Sequence, residues 1–111
     1  MTTVSDLMDR ATTMIAENPE RAREFGGVYR FELDGDGGRT FIVDLTENPR
    51  VIDGDGAADC VIRMAAKDFI DLVEGRKDRR ALFFMGRLTV EGDWALAMKL
   101  KSLDEMMGAR K

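Results

Sequence analysis

Four short segments of this chain alternate between apolar and polar residues, and all four can turn their apolar residues to the same side. In "VYRFELD", Tyr29, Phe31 and Leu33 alternate with Arg30, Glu32 and Asp34. In "TFIVDLT", Phe41, Val43 and Leu45 alternate with Thr40, Ile42, Asp44 and Thr46. "ADCVIRM" sets Cys60, Ile62 and Met64 against Asp59, Val61 and Arg63, and "GRLTVEG" turns Leu88 and Val90 inward. Side chains on a strand point to opposite faces in turn, so this pattern predicts an antiparallel sheet, dry on one face and wet on the other. "GDGG" between the first two segments supplies the positive-φ positions of a hairpin, and "PRVID", closed by "GDG", predicts one more short strand.

The dry face needs a cover, and the remaining segments supply it. Val4, Leu7, Met8, Ala11, Met14 and Ile15 form one apolar stripe at helical spacing, with Thr3 or Ser5 as its cap. Asn18-Pro19 ends that helix and starts a short turn through Phe25. "AKDFIDLVEG" is a helix with Phe69, Ile70, Leu72 and Val73 on one face, ended by Gly75; "DRRALFFMG" is another. A last helix spans roughly Asp93 to Met107, with Leu96, Leu100, Leu103 and Met107 as its core stripe. The class is α+β: a curved, five-stranded, mostly antiparallel sheet with helices layered on one face, forming one domain over residues 1–111.

The residues for covalent chemistry are scarce. There is no histidine, which removes Ser-His and Cys-His systems and most zinc sites. The lone Cys60 forms no internal disulfide and, at an inward strand position, reads as a small buried hydrophobe. "DGDGG" from Asp34 and "DGDG" from Asp53 lack the glycine and glutamate spacing of a calcium loop and read as turns. No G-x-G-x-x-G precedes a helix, so no phosphate cradle or cofactor is expected. The formal charge of −4 argues against nucleic acid. No leader or run long enough to span a membrane is found, so any membrane contact is expected to be transient. The C-terminal "GARK" is not a peroxisomal address, and the expected location is cytoplasmic.

What is abundant is soft apolar surface. "FFMGRLTVEGDWALAMKL" carries two of eight methionines and the only tryptophan. Trp94 and Met98 lie well round the last helix from its core stripe. Methionine adapts to variable apolar partners, so the surplus fits either a methionine-rich core with some surface exposure or a tunnel between helices and sheet that accommodates a flexible apolar chain. Its expected walls are Phe31, Phe41, Val43, Ile62, Met64, Phe69, Leu72, Phe83, Leu88, Trp94, Met98 and Leu103. Arg76, Arg79 and Arg80 are placed to meet a polar head at the mouth.

The stretch "ADCVIRMAAKDFIDLVEGRKDRRALFFMGRLTVEGDWALAMKL" resembles the sterol carrier protein type 2 domain family. The resemblance rests on Asp59, Cys60, Ile62, Met64, Asp68, Phe69, Leu72 and Gly75. Ala81, Phe83, Gly86, Leu88, Gly92, Asp93, Leu96, Ala97, Lys99 and Leu100 extend it, and the preceding helix and hairpin fit the same layout. Arg87 stands where lysine is common, and Lys77-Asp78 where proline is usual. The resemblance implies five curved strands under a helical layer and a tunnel for fatty acids, fatty acyl-CoA, phospholipids or sterols, with no covalent chemistry. The alternative within the family is an accessory module that holds a lipid-like intermediate for partner enzymes of lipid metabolism, or dimerises.

Overall fold

The computed structural model describes residues 2–99. Its sheet has the order β3-β2-β1-β4-β5, where β1 is Val28–Asp34, β2 Thr40–Asp44, β3 Arg50–Asp53, β4 Cys60–Ala65 and β5 Leu88–Gly92. Three pairings are antiparallel, and the central β1–β4 pairing is parallel, with Phe31 opposite Ile62. The register puts Phe41, Phe31, Ile62 and Val90 in one row across the sheet, and Met64 beside Leu88. The expected parity therefore holds on all four alternating strands.

Among the described residues the helices are α1 (Val4–Glu17), α2 (Pro19–Phe25), α3 (Ala66–Val73), α4 (Arg79–Phe84) and α5 (Trp94–Ala97). A capping box starts α1: the Asp6 N–H donates to the Thr3 hydroxyl at 3.1 Å, and the Thr3 N–H donates to the Asp6 carboxylate at 2.9 Å. Its stripe of Val4, Leu7, Ala11 and Ile15 is buried. Gly75 and Gly86 end α3 and α4 with the same device. In each, a glycine at positive φ lets the next N–H reach back, Arg76 to the Asp71 carbonyl and Arg87 to the Leu82 carbonyl.

The core lies between the dry sheet face and the helices. Phe31 stacks on Phe41 with centroids 5.1 Å apart, and the Phe69 ring of α3 sits 5.5 and 6.1 Å from the two. Such pairs add roughly 0.5–1.5 kcal/mol each beyond the area they bury.

The other face is less wet than its sequence suggests. Ile42 and Val61 point there, yet both are buried. The reason is the parallel pairing: the chain must return from the end of β3 to the start of β4, and residues 54–59 do so as an extended crossover on that face. The Arg30 guanidinium donates to the Gly56 carbonyl at 2.6 Å. A Cβ on Gly56 would stand 2.7 Å from Ile42 Cδ1, so the crossover lies directly on the sheet. The rest of the face is charged, with Arg63 bridging Glu32 and Glu91.

Candidate functional site

Two short helices flank β5 and leave a cleft between them. The α4 wall is held at both ends by one carboxylate. Asp68, in the first turn of α3, is only 1 % exposed. It accepts from Lys77 Nζ at 2.7 Å, just before α4, and from Arg87 Nη2 and Nε at 2.8 and 3.1 Å, just after it. A buried charge is tolerated when its oxygens are met by charged donors, and here three bonds do so. The Asp68 bond raises the Lys77 ammonium above the usual lysine range, with help from Asp71. Arg87 and Lys77, the two departures from the family pattern, thus converge on the same carboxylate.

The α5 wall is held without charge pairs. Asp93 caps it, accepting from the Ala95 and Leu96 N–H groups at 2.9 and 3.4 Å. The Asp93 N–H donates to the Asp59 carbonyl at 2.8 Å, which anchors the helix to the start of β4. The Tyr29 hydroxyl, buried beneath, donates to the Leu96 carbonyl at 3.2 Å. Desolvation, with the nearby Cys60 and Asp93, pushes that hydroxyl up to about 12. The Leu96 side chain lies over Gly27, where a Cβ would meet Leu96 Cδ1 at 2.5 Å. Lys99 Nζ reaches the Phe25 carbonyl at 2.6 Å.

Between these walls lies a cleft of about 230 Å³, lined by Arg79, Arg80, Phe83, Phe84, Leu88, Val90, Trp94, Ala97 and Met98. Leu88 and Val90 form its floor. Phe83 and Trp94 face each other edge to face, centroids 5.7 Å apart at 88°. Phe83, Trp94 and Met98 are exposed, as are Phe84 and Met85 beside them. A cleft of this make-up offers desolvation and two guanidinium groups, and no nucleophile.

The twelve expected wall residues fall into two sets, with Leu103 outside the described residues. Phe83, Leu88, Trp94 and Met98 come together at the cleft. Phe31, Phe41, Val43, Ile62, Met64, Phe69 and Leu72 are buried in the core, where the rings touch one another. Of the basic residues expected at a mouth, Arg79 and Arg80 line the cleft. Arg76 instead pairs with Asp71 and Glu74. Sequence reasoning missed Phe84, Val90 and Ala97 as lining, and it missed Asp68. The signal for Asp68 was present: it stands four residues before Leu72 on the buried stripe of α3, where an acid needs partners.

Cys60 is fully buried, and burial, then Asp93 and Asp59, push its thiol up. Such a thiol is a poor nucleophile. Among the described residues no group of three or more acids and cysteines could hold a metal ion.

Residues 8–104 match the SCP-2 sterol transfer family. The chain belongs to that family. Sterol carrier protein 2 of Rattus norvegicus is 38 % identical over 92 residues, covering 78 % of this chain and 17 % of that one, so the chain spans less than a fifth of this relative's length. The apo form of sterol carrier protein 2 from Yarrowia lipolytica has a TM-score of 0.70 at 22 % identity, over 96 % of this chain and 89 % of that one. Sterol carrier protein-2 from Aedes aegypti, solved in complex with palmitate, has a TM-score of 0.68 at 18 % identity, over 97 % and 100 %. These structures share the SCP-2 fold with this chain: five strands in a mixed sheet, layered with helices. No described helix is long and apolar enough to cross a membrane.

Proposed function

We propose that this chain binds and transfers lipids without covalent chemistry, holding an apolar tail in the cleft between α4 and α5 and leaving the head beside Arg79 and Arg80. The observation that carries the reading is the cleft's composition: an apolar floor, two facing rings and a methionine, with cations only at one side. Membership of the SCP-2 family and the palmitate complex of the Aedes aegypti protein support it. The cleft is somewhat smaller than the ~300–1,000 Å³ that encloses a drug-sized ligand, which suits one segment of a chain better than a whole bulky lipid. Phe31, Phe41, Val43, Ile62, Met64, Phe69 and Leu72 share the sheet face of Leu88 and Val90. We assign them the inward wall that a tail longer than the cleft meets when the helices part from the sheet. The cytoplasm is the proposed location.

Calorimetry on fatty acids of increasing length tests this. Each buried methylene contributes ~0.8 kcal/mol, so affinity should climb steeply with length until the cleft is full. Affinity that is flat with length, or abolished by changing the head group, rules out a desolvation-driven lipid site.

A further inference from the structure

The floor of the cleft lies one strand away from the aromatic cluster of the core. Val90 pairs with Ile62, Ile62 with Phe31 and Phe31 with Phe41, so the four stand in one row on the dry face. Neighbouring strands run ~4.8 Å apart, which leaves Ile62 alone between the floor and the first ring. Over that row stands Phe69 of α3, its ring 5.5 Å from Phe31 and 6.1 Å from Phe41, tilted 54° and 62° to them. Ile62, Phe31 and Phe69 are each 0 % exposed, so no gap of even water size borders them. No methylene passes inward while these side chains stand where they are.

Of the three, Phe69 is the one that can yield. Ile62 and Phe31 sit on β4 and β1, which are paired on both sides within the sheet. Phe69 comes from the covering layer. Its neighbour in the chain is Asp68, whose carboxylate receives Lys77 and Arg87, so a shift of the α3 backbone here also pulls on both ends of α4. The room outside this plug is the cleft's own 230 Å³. A methylene takes up roughly the ~30 Å³ of a liquid water, so about eight carbons fill it.

We infer that Phe69 sets the chain length this domain takes: a medium-chain acyl tail of about eight carbons fills the cleft, and the Phe69 ring, wedged over Ile62 and Phe31, keeps longer tails out of the core. The inference rests on the cleft being the lipid site, and adds which tail suits it and which residue decides. A medium-chain preference sets this chain apart from the Aedes aegypti protein, solved with a C16 fatty acid.

Calorimetry on straight-chain fatty acids from hexanoate to tetradecanoate, each below its micelle concentration, tests this. Affinity should rise about threefold to fourfold per added carbon up to about eight carbons and then level off. Phe69→Ala removes the six ring carbons and leaves a void that the core closes only in part, so it should move the break to longer tails by about four carbons. Phe69→Leu removes fewer atoms, should move the break less, and serves in its place where circular dichroism shows that F69A does not fold. Affinity that climbs without a break to tetradecanoate in the parent protein overturns the inference and leaves the carrier reading standing. So does a break that stays in place in the folded variants. Absence of binding at every length overturns the carrier reading, and this inference with it.

Discussion

Arg87 grips Asp68 with two nitrogens, Nε at 3.1 Å and Nη2 at 2.8 Å, and so fixes the far end of α4 to the start of α3. Lys77 fixes the near end to the same carboxylate. One buried acid thus sets where the α4 wall stands.

Asp68→Asn should therefore destabilise the fold and loosen the cleft. Removing one partner of a buried pair costs about 3–5 kcal/mol, and the lower end applies because both cations reach water. Urea unfolding measures this. Arg87→Lys keeps the charge but loses the fork, and should cost roughly 1 kcal/mol. Equal midpoints for D68N and the parent protein would show that the cluster holds nothing.

The alkaline limit should come from Tyr29. Its folded value of about 12 lies above its ordinary value of 10.0. The folded state therefore holds its proton over that interval while the unfolded chain releases it. The contribution of Tyr29 to stability is fully present below pH 10 and is lost as pH rises through about 12, and the buried Cys60 thiol, also pushed up, adds to the alkaline loss. Tyr29 is the only tyrosine, so tyrosinate absorbance reads this group alone. Tyr29→Phe should flatten the decline, at a cost of roughly 1 kcal/mol for the lost bond to Leu96.

At low pH the sign is opposite. Hydrogen bonds from Arg63 and Arg76 hold Glu32 and Asp71 below the usual carboxylate range, and Thr2 and Arg76 do so for Glu74. These groups contribute stability above their unfolded values, and it is lost as pH falls through the folded ones. Acid unfolding followed by circular dichroism should begin below about pH 4.5. It should begin at higher pH in Arg63→Gln and Arg76→Gln.

Trp94 should report the ligand. It is the only tryptophan and faces Phe83 at 5.7 Å in the cleft. A long-chain fatty acid should shift or quench its emission, and Phe83→Ala should weaken binding about threefold to tenfold. Binding proven by calorimetry with an unchanged spectrum would place the ligand elsewhere.

Gly27→Ala should disturb the α5 wall without touching the cleft. Gly27 has φ +86°, and its Cβ would collide with the Leu96 side chain at 2.5 Å. Strain and displacement together should cost ~1–3 kcal/mol. Trp94 emission in the free protein should change as α5 shifts.

The architecture was legible because burial on one face imposes a period that survives in single residues such as Phe31 and Ile62. Helix ends were legible at Gly75 and Gly86 because only glycine adopts their backbone cheaply. The burial of Ile42 and Val61 was not, since it depends on a crossover whose path is set by strand order rather than by local sequence. At the cleft, Trp94 and Met98 stood out as apolar residues off the core stripe. The division of the other candidates between cleft and core was hidden, because a strand pattern gives the face a residue points to and not how far the covering helices sit from it. Asp68 was legible as an acid on a buried stripe, but its partners were hidden because they stand nine and nineteen positions away.

The crossover of residues 54–59 also orders assembly in time. Strands β1, β2 and β3 join through short turns, so their pairing closes small loops. The β1–β4 pairing joins positions 31 apart, as in the bond from the Val28 N–H to the Asp59 carboxylate. Closing the longer loop costs more chain entropy, and non-local pairings of this kind slow folding. Everything that makes the cleft, from α4 to α5, follows β4 in the chain. A newly made molecule is thus expected to complete its three-stranded meander first and to form the cleft last, so Trp94 should reach its native emission later in refolding than the meander gains protection from hydrogen exchange.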